Sequence, residues 1–490
     1  MTILFVCVYV FFLFFILLYS LMELNLLFIY LFKAEKRVDS VMKELPYVTI
    51  QLPVYNEMYV VERLIDSICK LNYPKNRLEI QVLDDSSDET VALVKEKVNY
   101  WQSQGVQIEQ LIRPTRIGFK AGALAYGLET AKGEFIAIFD ADFDPEAEFL
   151  NRTLHYFKNE KVGVVQTRWK HMNKNYSLLT KLQAFALDAH FTIEQSGRNK
   201  GGHFINFNGT AGIWRRTCID DAGGWEADTL TEDLDLSYRA QMRGWKFQYL
   251  EEVESPAELP VTMSALKNQQ FRWAKGAAEC AKKNLGKMLL KRGLGFTTKV
   301  MAIFHLLNSF LYICIIMLAF MSIPLMFIVS NHPEYASVYA SLQVFFISTV
   351  ILGLVYYVGS TLKTENRLKD SVKFLLYYFI FLSVSMSLSL YNTIGVIEGY
   401  LGRKSPFVRT PKFNISHVNG NKWKENKYLG SIKRLSILSW LEALVIIYFS
   451  FGFITSIQLG PLSFAPFYAM LIFGFSYSLF LTIRHTRYAK

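Results

Sequence analysis

The chain has 490 residues, 51% of them hydrophobic and 19% charged, with a formal net charge of +11. At roughly 150 residues per domain the length allows about three units, and the apolar fraction is too high for a chain that must cover all of its surface in water, so a single soluble domain is excluded. With 39 Phe and 27 Tyr against 28 Gly and 13 Pro, disorder and collagen-like structure are excluded as well.

Residues 2 to 32 form an apolar run broken by little except Glu23. It is too long for the core of a signal peptide and long enough to cross a bilayer, which needs about 20 residues. Lys33, Lys36 and Arg37 follow it, and by the positive-inside rule they place that end in the cytoplasm. From 45 to 295 short apolar strands alternate with helical stretches, at Val48 to Leu52, Ile80 to Leu83, Phe135 to Phe139 and Val162 to Gln166. That alternation predicts an α/β domain with a doubly wound, mostly parallel sheet. Polar residues follow the strands' carboxyl ends, where open α/β sheets bind ligands: Pro53-Val54-Tyr55-Asn56-Glu57, Asp84-Asp85 and Asp140-Ala141-Asp142.

Apolar runs return in the region 299–490, at about 299–330, 337–360, 372–397, 436–457 and 462–483. If all five cross, the basic segment 399–435 (Arg403, Lys404, Arg409, Lys412, Lys422, Lys424, Lys427, Lys433, Arg434) and the basic tail fall outside, against the positive-inside rule. Leaving 372–397, Ser-rich between 383 and 389, at the interface or re-entrant removes both conflicts and gives five spans. The surplus of Lys and Arg lies beside these runs, so it reports topology and not a nucleic-acid partner. The five cysteines have neither zinc nor disulfide spacing, which fits a reducing compartment. The four N-x-[ST] matches, at Asn151, Asn175, Asn208 and Asn414, are chance on a cytoplasmic reading.

Three acidic groups carry the chemistry. Asp84-Asp85 leads into Ser86-Ser87-Asp88, which also reads as a turn and helix cap. Asp140 and Asp142 lie on alternate positions after a strand, so both carboxylates can face one divalent ion on a diphosphate. Thr231-Glu232-Asp233 can cap a helix, or can supply Asp233 as a general base whose proton affinity is raised by burial among acids. Gln269-Gln270-Phe271-Arg272-Trp273 suits a helix at the membrane surface; alternatively Arg272 meets a departing phosphate and Trp273 stacks on a sugar. Lys120, beside Gly118 and Gly122, offers a second phosphate cation, although the P-loop spacing is absent. With no histidine ligand spacing, hard oxygen donors point to Mg2+ or Mn2+. Asn308, Tyr312, Tyr391 and Trp440 are candidates to line a polymer path through the spans.

Taken in order, Asp84-Asp85, the DxD at 140–142, TED at 231–233 and QxxRW at 269–273, flanked by spans, resemble the family 2 glycosyltransferases of the cellulose synthase type. Phe407-Val408-Arg409-Thr410-Pro411-Lys412 is similar to that family's FxVTxK gating loop, with Arg409 where the family has Val. Gln51 to Glu57, Asn206 to Gly212 and Gly223-Gly224-Trp225 look closest to plant-type mannan and glucan backbone synthases. The resemblance implies a GT-A-like domain and a nucleotide-sugar donor, UDP-glucose or GDP-mannose. It places Asp84 or Asp85 at the nucleotide base, the metal at Asp142, the base at Asp233, and Gln269, Arg272 and Trp273 at the acceptor and leaving diphosphate. Glu57, Lys120, Asp140, Glu232, Phe407, Thr410 and Lys412 complete the implied substrate contacts.

The expected activity is that of a processive, inverting, metal-dependent hexosyltransferase that elongates a β-linked polysaccharide and exports it. The alternative is single transfer of a hexose to a lipid acceptor, and a third reading is a non-enzymatic transport or scaffold protein. The expected partners are the nucleotide sugar, the growing polysaccharide or lipid acceptor and membrane lipids, with no nucleic acid. The expected location is an integral membrane protein with a cytoplasmic catalytic domain, in the cell membrane if the source is bacterial.

Overall fold

The computed structural model describes residues 2–34, 44–332, 336–362, 367–405, 407–415, 426–428, 437–459 and 462–487. Lys36, Arg37, Lys422, Lys424, Lys433, Arg434 and the tail residues 488–490 lie outside them.

Seven strands form one sheet: β1 (Val48–Val54), β2 (Leu78–Asp84), β3 (Ile108–Leu111), β4 (Phe135–Ile138), β5 (Val162–His171), β6 (Gly212–Arg215) and β7 (Lys246–Ala257), in the spatial order β3-β2-β1-β4-β6-β5-β7. Val48, Ile50, Leu52, Ile80 and Val82 are wholly buried, as expected of strands covered by helices on both faces. The opposite face of β1 and β2 is buried as well but polar: Thr49 donates to Glu79 (2.7 Å) and Gln51 to Gln81 (3.1 Å). The sheet is mostly parallel, as expected, except that β6 runs antiparallel to both neighbours. The reason is where the chain enters: Gly212 pairs with Ile138 at the carboxyl end of β4, so β6 starts at the ligand-binding rim and must run back.

Among the described residues six helices are long and apolar enough to cross a membrane, Thr2–Phe32, Phe310–Asn331, Ala340–Thr361, Ser371–Leu401, Ile437–Leu459 and Leu462–Thr486, and the chain is an integral membrane protein. The fourth stretch is part of the helix Arg367–Leu401, which is continuous over 35 residues. The hydroxyls of Ser383, Ser387 and Ser389 donate to carbonyls of their own helix. Both ends of this helix meet the sheet domain's helices. Phe374 packs on Phe185 (5.8 Å between rings), while Gly395 and Gly399 lie against Phe271 and the carbonyl of Lys275.

The helix Met263–Leu290 joins the two parts of the molecule. Thr262 caps it by accepting from Ala265 N–H (3.3 Å). Lys267 on this helix donates to Glu442 of Ile437–Leu459 at 2.6 Å, with both side chains buried. Removing one charge of such a pair strands the other, so Lys267→Met is expected to cost about 3–5 kcal/mol. Thermal unfolding in detergent tests this; the Lys267→Met/Glu442→Gln double variant should recover most of the loss.

Candidate active site

The carboxyl ends of β1, β2, β4, β5 and β7 open onto one cleft of about 230 Å³. Glu57, Asp85, Lys120, Asp140, Asp142, Glu232, Asp233, Gln269, Arg272, Trp273, Phe407, Thr410 and Lys412 all line it. Residues from distant parts of the sequence are thus brought together around one small volume. Asp84 is the exception and does not line it. Its carboxylate is buried, accepts from Ser86 N–H (2.9 Å) and Gln110 Nε2 (2.8 Å), and so shapes the turn that presents Asp85.

Four of the cleft acids already face a cation from this chain. Arg113 grips Asp85 with two donors (2.7 and 2.5 Å), Lys120 meets Asp140 (2.5 Å), Lys412 meets Asp142 (2.7 Å), and Arg409 stands 3.6 Å from Glu57. Glu232 and Asp233 form no ion pair among the described residues. They open the helix Glu232–Met242, where Asp233 Oδ1 accepts from Leu234 N–H (2.8 Å). The Thr231 side chain caps nothing and turns instead to Cys280 Sγ (3.3 Å).

Two glycines allow the close approaches that set this triplet. At Gly209 (φ +78°) a Cβ would sit 3.0 Å from Asp233 Oδ2, and at Gly276 it would sit 2.5 Å from Thr231 Cγ2. Gly276 therefore lets Met263–Leu290, the helix of Arg272 and Trp273, rest directly on the TED segment. Glu279 on the same helix accepts from Leu230 N–H (2.7 Å) and fixes the contact.

Burial raises the proton affinity of Asp233; the Glu232 carboxylate raises it further and Lys120 opposes both. Burial likewise raises Glu232, against Lys120. Both carboxylates therefore hold a proton above the ordinary carboxylate range, Asp233 up to about 7. Glu57 is pushed up to about 8 by burial, against Arg409 and Lys412. A base must be deprotonated to act, so turnover is expected to fall as pH drops through neutrality, whereas an unperturbed carboxylate, with a pKa of about 4, would hold until far lower. A pH profile of initial rates checks the position of this limb.

Asp140 and Asp142 fit a divalent cation. They offer hard oxygen donors on alternate positions after β4, both in the cleft, and the Lys412 ammonium 2.7 Å from Asp142 shows that a positive charge is accommodated there. The cluster Glu226, Asp228 and Asp235 is different: Lys283 Nζ lies between all three, at 2.6, 2.7 and 3.0 Å, so it is an ion-pair node.

The described part of 399–435 covers the cleft. Phe407 stacks on Phe119 (5.6 Å) and lies under the Arg272 guanidinium (4.5 Å), while Arg272 donates to Thr410 (3.3 Å). Arg409, the departure from FxVTxK, donates to Tyr55 O (3.0 Å) and stacks on Tyr428 (4.1 Å). The sequence reading missed Glu258, whose two oxygens accept from Phe413 and Asn414 N–H (3.0 and 2.9 Å), and whose own N–H donates to Asp142 (3.0 Å). It also missed Arg113 and Arg116, the latter over the Tyr55 ring at 3.3 Å. Their signal was a pair of arginines directly after a short half-polar strand. Of the path candidates, Tyr312 and Tyr391 donate to Gln270 (3.4 Å) and Asn268 (3.2 Å) beside Trp273, but Trp440 is 65% exposed on the outside of the helices and lines nothing. Among the described residues Asn308 has no side-chain partner of this kind.

Residues 46–276 match the family profile described as glycosyltransferase like family 2. Probable glucomannan 4-beta-mannosyltransferase 11 of Oryza sativa subsp. japonica is 44% identical over 273 residues, covering 55% of this chain and 47% of that protein. Glucomannan 4-beta-mannosyltransferase 9 of Arabidopsis thaliana is 37% identical over 385 residues, covering 75% and 68%. The matched segments thus span from about half to about two thirds of these relatives. Among solved structures, a mannosyltransferase from Pyrobaculum calidifontis in complex with GDP-Man and Mn2+ superposes with a TM-score of 0.54 at 18% identity, covering 82% of this chain and 98% of that one, and shares its fold.

Proposed function

This chain belongs to glycosyltransferase family 2, in the cellulose synthase-like group, and from that premise we propose that it is a processive, inverting hexosyltransferase that elongates a β-linked polysaccharide from a nucleotide sugar. GDP-mannose is the favoured donor, because the relatives similar to this chain are named as β-mannosyltransferases; UDP-glucose is the second. The observation that carries the reading is the single cleft in which Asp85, Asp142, Asp233 and Trp273 meet beside the membrane helices.

The chain's own residues divide the work. Tyr55, Asp85 and Arg116 form the nucleotide end, and Lys120 and Arg272 bring positive charge to the diphosphate. A divalent cation, Mg2+ or Mn2+, held by Asp142 with Asp140, supplies further neutralisation of the departing charge. Trp273 stacks the acceptor's terminal sugar. Asp233 takes the proton from its hydroxyl, which then attacks the anomeric carbon from the face opposite the leaving group and turns an α-linked donor into a β-glycoside. Glu57, Phe407, Thr410 and Lys412 enclose the donor, and Glu232 and Gln269 border the reacting atoms.

Five crossings, with Arg367–Leu401 lying along the interface and the catalytic domain in the cytoplasm, agree best with this site. Two observations support it: both ends of that helix rest on the sheet domain, and Lys412 beyond its carboxyl end reaches Asp142. Tyr312 and Tyr391 then mark the start of the polymer's way out. The test is purified protein with Mn2+ and labelled GDP-mannose or UDP-glucose. An insoluble product cleaved by a β-1,4-glycanase is expected, whereas only organic-soluble product would establish transfer to a lipid instead.

A further inference from the structure

Each sugar transfer leaves a proton on Asp233, and a base that keeps its proton cannot act a second time. The new glycosidic oxygen is an ether and does not take it back. The departing diphosphate lies beside Lys120 and Arg272, whose charges make it a poor base. Donor and acceptor meanwhile fill the cleft, and Phe407 and Thr410 cover it, so the way out through the cleft is occupied by the reactants.

A second cavity, of about 100 Å³, lies behind the same acids, and one water needs only roughly 15 Å³. Lys120, Leu230, Glu232 and Phe407 line both cavities and form the partition between them. Leu230 and Phe407 are apolar, and Lys120 is committed to Asp140 (2.5 Å), which leaves Glu232 as the partition group free to take up and return a proton. Beyond the partition the cavity is bordered by Asp228, Glu279 and Lys404, of which Asp228 and Lys404 are exposed to solvent. Its far wall is fixed: Glu279 accepts from Leu230 N–H (2.7 Å), and Asp228 accepts from Lys283 (2.7 Å). From the cleft side the charges that face Glu232 are Lys120, Asp140 and Arg272. Burial raises the proton affinity of Glu232 and of Asp233 alike, with Lys120 opposing in both, so a proton passes between them without a large step in free energy.

We propose that Glu232 relays the proton of each sugar transfer from Asp233 into the second cavity, from which it reaches solvent while the substrates still fill the cleft. The acceptor hydroxyl gives its proton to Asp233 as its oxygen bonds the anomeric carbon, and the bond to the diphosphate breaks with its electron pair on the diphosphate. Asp233 then passes the proton to Glu232, and Glu232 passes it to water. Both carboxylates end the cycle as they began it. Glu232 thus acts through Asp233, and the proposal rests on the glycosyltransferase reading, to which it adds the proton's route.

The test follows initial rates of the full-length protein in detergent with Mn2+ and labelled GDP-mannose or UDP-glucose. Glu232→Gln keeps size and polarity but carries no proton, so turnover is expected to fall about a hundredfold, while GDP affinity, acceptor KM and unfolding temperature stay put. Imidazole, small enough to serve as a proton carrier from the solvent side, should restore the rate of this variant in proportion to its concentration at fixed pH and ionic strength, and leave the unsubstituted chain unaffected. Glu232→Asp keeps a carboxyl and should hold most of the rate. If Glu232→Gln does not fold, Ala227→Trp serves, because Ala227 is exposed and lines the second cavity alone; filling that cavity should slow turnover with the same unchanged GDP affinity. Full turnover in the folded variant, a loss in Glu232→Gln that imidazole does not restore, or a loss that appears in the acceptor KM overturns the relay and leaves Asp233 as the base. A wild-type protein that transfers sugar from neither donor overturns both.

Discussion

Asp233→Asn is expected to lower sugar transfer by about a thousandfold, the scale on which a positioned general base contributes. Asparagine keeps the shape and the contact with Leu234 N–H, so the fold and the Gly209 approach survive. What it cannot do is take a proton. GDP affinity should stay within about twofold of the unsubstituted chain, since a uniform loss would indicate a binding role and not a transition-state one. A second signature separates the two. The substitution removes the buried acid whose pKa, raised to about 7 by burial and by Glu232, sets the neutral-range limb of the pH profile, so that limb should disappear from the residual rate. A variant that keeps full turnover would return the protein to the transport or scaffold reading.

Asp142→Asn is expected to lower turnover by about a hundredfold or more, comparable to removing one preorganised electrostatic partner of a developing charge. It should also raise the Mn2+ concentration needed for half-maximal rate. Chelation should silence the unsubstituted enzyme and excess Mn2+ or Mg2+ restore it, with Mn2+ binding followed by electron paramagnetic resonance as the readout independent of rate. Asp142 also holds Lys412 and accepts from Glu258 N–H, so its loss releases the covering segment. Lys412→Met separates the two effects, because it frees the segment and leaves the carboxylate in place.

The site was legible because its parts are short strings at strand ends. Asp140 and Asp142 sit two residues apart after an apolar strand, and strand alternation sends both to one side; both do line the cleft, although Asp142 already lies in the turn that follows. The same alternation says that only one of Asp84 and Asp85 can face the cleft, but not which. The choice depends on Gln110, on a neighbouring strand too short and too polar to read, which captures Asp84. Glu258 was invisible because its partners lie 155 and 156 residues away, on the covering segment. The antiparallel β6 was missed because four residues of strand carry no sign of direction. Arg367–Leu401 has the hydropathy of a span, and the contacts of its ends with Phe185, Phe271 and Lys275 could not be read from hydropathy. Arg409 stood out as a departure in the sequence, and its contacts with Tyr55 and Tyr428 give that departure a structural sense.

The cations that rest on Asp85, Asp140, Asp142 and Glu57 make the unliganded cleft nearly self-neutralised. An incoming anion with its own counter-ion therefore exchanges partners and adds little net charge. Capture of the donor should then depend weakly on ionic strength, and each binding event has to break contacts within the protein before any sugar bond is touched.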